Sequence, residues 1–267
     1  MLLRPLILGH RGASAVSPEN TLAAFSRAMD DGADGIEFDV RLSRDSVPVV
    51  IHDATLKRTG LLERAVSELT ANELQQIDVG SWFANSTRNP QFAREKLPLL
   101  EQVYELFRVN NGLLYVEMKC DRDEGAVLAE AVVRLTRLSG LQERVVVESF
   151  DLSAIAAMKK IDPAIRTAAL FEPRLSRPIS SVRRLKMVNA ALEVGADEIA
   201  LHHSLAGARV IEKARQAGLE IVVWTVADPA WIGFARSLDI KALIANDPAS
   251  LIRHCEVSTK ARYRLDD

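Results

Sequence analysis

Two histidines, an arginine and a pair of carboxylates early in the chain have the types and spacing of a centre that handles phosphate. Gly9-His10-Arg11-Gly12 closes a short apolar run, and Val49-Val50-Ile51-His52-Asp53 repeats that layout. Between them, Glu37 and Asp39 stand at i and i+2 within Gly35–Val40, which places both side chains on one face of an extended strand. Imidazoles with an ordinary pKa near 6.5 can give or take a proton at neutral pH. A guanidinium can grip a phosphate through two parallel hydrogen bonds. Cutting a phosphate ester on a metal ion is the chemistry such a set suits.

These residues need a scaffold that brings distant segments to one place. Apolar runs predict strands at Pro5–Leu8, Gly35–Val40, Leu113–Met118, Val145–Ser149, Thr167–Leu170, Glu198–Leu201, Ile221–Thr225 and Ala242–Ile244. Helical patterns follow them, the first with Ser17 or Asn20 as its cap and a stripe at Leu22, Phe25 and Met29. Val47–Ile51 reads as an extension of strand two beyond the turn at Ser43–Ser46. Residues 54–96 break the rhythm with polar and short helical pieces, as an insertion after strand two. Eight strand–helix units predict an α/β fold, a (β/α)8 TIM barrel, and one domain over residues 1–267. An open doubly wound sheet is disfavoured, because no glycine-rich phosphate loop follows strand one.

Barrel geometry turns the list of polar residues into a test, since such sites lie at the C-terminal ends of the strands. His10, Arg11, Glu37, Asp39, His52, Glu117, Lys119, Ser149, His202, His203, Trp224, Asn246 and Asp247 all fall at or beside those ends. Of His202 and His203, at most one can face the mouth, because neighbours in a strand point oppositely. Glu37, Asp39 and Glu117 would repel one another unless a cation compensated them. An all-oxygen ligand set suits Mg²⁺ or Ca²⁺ rather than zinc. Three carboxylates and one dication leave a single negative charge, a phosphodiester adds another, and Arg11 with Lys119 returns the sum to zero.

Composition sets wider bounds. The 267 residues are 48% hydrophobic and 26% charged with a net charge of −2, the balance of a globular chain with no nucleic-acid or membrane-surface footprint. No run is long enough to span a bilayer and the start lacks a secretory pattern, so a cytoplasmic location is expected. Cys120 and Cys255 lack redox or ligand spacing, and no disulfide between them is expected.

The sequence resembles the glycerophosphodiester phosphodiesterase family. The resemblance runs through His10-Arg11-Gly12, Pro18–Thr21, Gly35–Val40, His52-Asp53, Arg58-Thr59, Glu68–Thr70, Gly80–Phe83, Leu97-Pro98, Glu117–Lys119, Ser149-Phe150, Trp224–Val226 and Asn246–Pro248. It implies a (β/α)8 barrel with an insertion after strand two, and a divalent cation on Glu37, Asp39 and Glu117. It implies His10 and His52 as the acid/base pair, Arg11 and Lys119 on phosphate, and Trp224 against glycerol carbons. Which histidine is the acid, and whether water or a substrate hydroxyl attacks, stay open at this point. Ala227 stands where many members have asparagine and Leu99 where many have threonine, departures that bear on substrate preference. The implied reaction releases glycerol 3-phosphate and an alcohol from a small glycerophosphodiester. A phospholipase of the D type acting on lysolipids or sphingolipids is the alternative within the same chemistry, and a non-catalytic barrel that binds a phosphorylated metabolite is the alternative outside it.

Overall fold

The computed structural model describes residues 4–120, 123–173 and 181–263. Among the described residues the sheet holds nine strands: β1 (Leu6–His10), β2 (Gly35–Leu42), β3 (Pro48–Val50), β4 (Leu113–Met118), β5 (Val145–Ser149), β6 (Arg166–Phe171), β7 (Glu198–His202), β8 (Glu220–Trp224) and β9 (Ala242–Ala245). All except β3 pair in parallel with their neighbours, and β9 returns to pair with β1. The ring is a closed eight-stranded barrel. Helices α1 (Leu22–Asp30), α2 (Ala71–Leu74), α3 (Ser81–Thr87), α4 (Leu100–Val109), α5 (Gly125–Ser139), α6 (Leu152–Ile161), α7 (Ser181–Glu193), α8 (Ala208–Gln216), α9 (Ala230–Ser237) and α10 (Pro248–Tyr263) complete it. Each barrel strand is followed by a helix, as the sequence rhythm predicts.

Strands buried on both faces read as continuous apolar runs, and their two faces feed two different cores. Ile36, Phe38 and Val40 of β2, with Leu114, Val116 and Met118 of β4 and Val145 and Val147 of β5, point outward and pack under α1, α4, α5 and α6. Ile199, Leu201, Ile221, Val223 and Leu243 do the same under the later helices. The alternate residues point inward: Leu8, Tyr115, Val146, Ala168, Ala200, Val222, Ala242 and Ile244 fill the barrel. Small residues dominate where the later strands meet, so Tyr115 can lie across the interior. The alternation therefore assigns Glu37, Asp39, Glu117 and Glu148 to the inside of the barrel before any side-chain contact is considered.

Three local expectations change. The segment after the Ser43–Ser46 turn is β3, which runs back antiparallel along β2 with Val40 opposite Val50. It is a hairpin arm, and it carries His52 back over the end of β2. The cap of α1 is Thr21, whose hydroxyl accepts from the Ala24 amide, rather than Ser17 or Asn20. Asn20 is diverted to Asp39, as described below. Residues between β3 and α4 are less polar in effect than they read, for Ile51, Leu56, Val66, Leu69, Leu74, Val79 and Leu97 form a small core with Val49 of β3. Cys120 and Cys255 form no disulfide.

The floor of the barrel holds a buried acid of its own. Glu198 opens β7 with no solvent exposure. It accepts from the Tyr115 hydroxyl at 2.8 Å, from Arg166 at 3.0 Å and from Lys241 at 2.7 Å. Removing one partner of a buried charge cluster strands the others, which costs more than the net worth of the pair. Glu198→Ala is expected to lower unfolding free energy by about 3 kcal/mol in urea denaturation.

Candidate active site

The parallel register sets the acids in a row. Asp39 of β2 is opposite Glu117 of β4, and Glu117 is opposite Glu148 of β5, while Glu37 is opposite His10 of β1. All four carboxyls are buried. Oxygens of Glu37, Asp39 and Glu117 come within 4.8 Å of one another. Arg11 donates its backbone N–H to Glu37 at 3.1 Å, and its guanidinium lies 3.2 Å from Asp39. The Lys119 ammonium lies 2.6 Å from Glu117 and 3.4 Å from Asp39. Asn20 donates from its side-chain amide to Asp39 at 2.8 Å.

Crowding separates the carboxyls by charge state. Burial pushes the Glu117 carboxyl up to about 8, with the Asp39 charge adding to it and Lys119 opposing. Glu37 is raised well above the usual range by burial and then by Asp39 and Glu117. Burial also works against Asp39, but Lys119, Arg11 and His52 outweigh it and hold its carboxylate below the usual range. Two protein cations thus outweigh burial for one carboxylate, while the charged form of the others is disfavoured. Asp39 Oδ1 and Glu117 Oε1 share the one Lys119 ammonium. Three buried carboxyls with oxygens this close and an all-oxygen donor set fit a hard divalent cation.

The two histidines are each pinned at Nδ1. His10 Nδ1 lies 2.6 Å from Asn246 Oδ1; an amide oxygen only accepts, so the proton sits on Nδ1 and Nε2 is left 3.8 Å from Glu37. His52 Nδ1 lies 2.6 Å from Asp53 Oδ1. Burial, followed by the Arg11 charge, pulls the His10 pKa down to about 4. His52 is lowered as well, by burial first, with Lys119 and Arg11 acting in the same direction against Asp39 and Asp53. Asp53 is gripped by Arg58 at 2.8 Å, Arg58 holds Glu19 at 2.8 Å, and Glu19 accepts from Arg11 at 2.8 Å. This charged chain ties the loop bearing His52 to the loop bearing Arg11.

The β1 loop reaches its place through strained backbone. Arg11 and Asn20 adopt left-handed φ values of 53° and 58°. Gly12 has φ +81°, and a Cβ there would lie 2.6 Å from the Ala24 backbone, so only glycine lets this loop lie against α1.

These groups share one cavity of about 160 Å³ at the C-terminal ends of the strands, lined by His10, Arg11, Glu37, His52, Glu117 and Lys119 on the β1–β4 side. Phe150, Leu170, Trp224 and Ile244 supply an apolar wall on the β5–β9 side, where Glu148 and Glu172 are the acids. Phe150 meets Trp224 edge to face at 5.5 Å, and Lys119 lies over the Phe150 ring at 5.4 Å. Of the rim residues expected from sequence, Asp39, Ser149, His202, His203, Asn246 and Asp247 do not line it; Asp39 and Asn246 lie behind the lining, held to Asn20 and His10. Ser149 points outward and donates to the Met118 carbonyl; His202 packs edge-on against Trp224, and His203 meets the Thr225 carbonyl. Sequence reasoning passed over Glu148, Asn20 and Glu19. Strand alternation was the signal for Glu148, since Val145 and Val147 read as the outer face.

A sequence profile of the glycerophosphoryl diester phosphodiesterase family matches residues 10–250. The chain is 30% identical over 250 residues to a glycerophosphodiester phosphodiesterase of Caldanaerobacter subterraneus subsp. tengcongensis, covering 94% of this chain and 97% of the relative. Among solved structures, a glycerophosphodiester phosphodiesterase of Agrobacterium tumefaciens superposes with a TM-score of 0.75 at 28% identity, over 92% of this chain and 98% of that one. An Oleispira antarctica phosphodiesterase, solved with its product sn-glycerol-3-phosphate, has the same fold with a TM-score of 0.82 at 23% identity, over 95% and 97% of the two chains.

An ion that binds the folded acidic cluster and not the unfolded chain stabilises the fold by mass action. Saturating Mg²⁺ or Ca²⁺ is expected to raise the Tm by roughly 5 °C. The same addition should leave Asp39→Asn unshifted in differential scanning fluorimetry.

Proposed function

The chain belongs to the glycerophosphoryl diester phosphodiesterase family and is a phosphoric diester hydrolase, and we propose that it cleaves glycerophosphodiesters to glycerol 3-phosphate and an alcohol with a divalent cation and a histidine pair. The observation that carries this reading is the cavity itself. It gathers two Nδ1-pinned imidazoles, a guanidinium and an ammonium around a cluster of buried carboxyls. The product bound to the Oleispira antarctica relative points to the same substrate class.

Glu37, Asp39 and Glu117 would hold the cation, and their oxygen-only donor set favours Mg²⁺ or Ca²⁺. When bound, such an ion neutralises the cluster and polarises a phosphoryl oxygen. Arg11 and Lys119, already beside the acids, bind the non-bridging phosphate oxygens and balance charge that builds on them. His10 and His52 divide the proton work: one Nε2 accepts the proton of the attacking hydroxyl, and the other gives a proton to the leaving alkoxide. Asn246 and Asp53 keep both rings turned for this by fixing Nδ1. Trp224 and Phe150 cover the substrate carbons and exclude water from that side. The insertion after strand two acts within this single domain by supplying Arg58, which secures Asp53.

Replacing His10 or His52 by alanine should lower kcat on glycerophosphocholine by roughly 10²–10⁴. Near wild-type turnover by His52→Ala would refute the paired-histidine reaction, and full activity after exhaustive chelation would refute the cation. Asp53→Asn, which leaves the His52 ring in place but weakens its support, is expected to lose about tenfold or more in kcat with little change in KM. The lysolipid alternative is separated by one comparison, in which glycerophosphocholine is expected to be turned over well ahead of lysophosphatidylcholine.

A further inference from the structure

We propose that Glu148 is a specificity-determining residue that forms a hydrogen bond with a glycerol hydroxyl of the substrate, so that the enzyme selects diesters carrying a free, deacylated glycerol. The proposal rests on the reading of this cavity as a glycerophosphodiester site. Three observations support it, none of which uses the cation cluster.

The first is the division of the cavity. Phosphate-handling groups come from β1 to β4, so the organic part of a bound diester falls toward β5–β9. That side is apolar apart from Glu148, the exposed Glu172 and the indole N–H of Trp224. The second is burial without a partner. Glu148 is 1% exposed, and its Oε2 has no hydrogen-bond partner; the Trp224 Nε1, also buried, has none either. A buried polar atom left unpaired costs about 1–3 kcal/mol, and facing a cavity it is the natural contact for a ligand group. An acceptor and a donor left open in one cavity match a polyol, whose hydroxyls both give and take hydrogen bonds.

The third is the fixed aim of the side chain, since Val147 and Ser149 on either side of it face outward, Val147 in the outer core and Ser149 bonded to the Met118 carbonyl. A hydroxyl suits the carboxyl in either protonation state, accepting from the acid or donating to the carboxylate.

The test compares substrates with and without glycerol. With wild-type enzyme and divalent cation, glycerophosphocholine and bis(4-nitrophenyl) phosphate are both assayed, followed by Glu148→Leu and Glu148→Gln. Glu148→Leu is expected to lose about 10- to 100-fold in kcat/KM on glycerophosphocholine, the range that an unmade buried hydrogen bond gives. Turnover of bis(4-nitrophenyl) phosphate should stay within about threefold, and Glu148→Gln, which can still pair with a hydroxyl, should recover most of the loss. In equilibrium binding, sn-glycerol 3-phosphate should weaken in Glu148→Leu by a similar factor while inorganic phosphate does not, with Tm recorded for each variant as the folding control. Equal losses on both substrates would overturn the proposal by placing Glu148 in the phosphate chemistry, and an unchanged glycerophosphocholine rate would overturn it by showing no contact. Failure of the underlying substrate reading shows elsewhere, as wild-type enzyme that cleaves the nitrophenyl diester but not glycerophosphocholine.

Discussion

Four carboxyls held side by side in a dry barrel mouth are the constraint on which the rest of the site depends. Parallel pairing sets Asp39, Glu117 and Glu148 in one row across three strands, with Glu37 one step below. No rearrangement of side chains can separate them, because the alternation that buries Phe38, Val116 and Val147 outside the barrel forces the acids inside. Their repulsion is met in part by Arg11 and Lys119 and disfavours the charged forms of Glu37 and Glu117. The balance stays incomplete, and that incompleteness is what leaves room for a cation and an anionic substrate together.

Positioning is handled by backbone and by a relay of charges. The left-handed turn at Arg11 aims its amide at Glu37 and its guanidinium at Asp39 in one short loop. Asn20, also left-handed, gives up a capping role to clamp Asp39, and Thr21 takes over the cap. At the other side, the hairpin carrying His52 is not part of the barrel ring and needs an external hold. Arg41 donates to the His52 carbonyl at 2.7 Å, and the Asp53–Arg58–Glu19–Arg11 chain fixes the side-chain end. Glu19, half-buried between two arginines, keeps its charge because they outweigh its desolvation. A site whose acid and base sit on separate segments requires such a link if their spacing is to be reproducible.

Much of this was readable from the sequence because period and spacing carry it. The eight strand–helix units appear as apolar runs separated by helical stripes, and barrel geometry then places His10, Glu37, Asp39, Glu117 and Trp224 on one rim. What escaped was set by contacts between distant segments. Nothing local marks Asn20 as the partner of Asp39, nineteen residues on, or Glu19 as the hub of two arginines. The reversal of β3 was hidden because a strand's direction leaves no trace in its composition. Glu148 is a different case: its strand was identified, but the neighbouring serine drew the eye to the wrong parity. Reading inward positions as a set, Val146 and Glu148 against Val145 and Val147, would have found it.

The barrel's two ends show how a structural acid differs from a functional one. Glu198 at the floor is as buried as any rim acid, yet it meets a tyrosine hydroxyl, a guanidinium and an ammonium, and it is absent from the unpaired buried atoms. Its surroundings are complete, so it asks for no ligand and serves packing and stability. At the rim, Glu148 keeps an oxygen without a partner in an equally dry setting, and Asp39 and Glu117 share the single Lys119 ammonium. The same fold evidently can satisfy a buried carboxylate when nothing else is required of it. A buried carboxyl left incomplete where the cavity opens therefore marks a residue whose partner arrives from outside the chain. Burial alone does not separate the two kinds of acid; the count of their hydrogen bonds does.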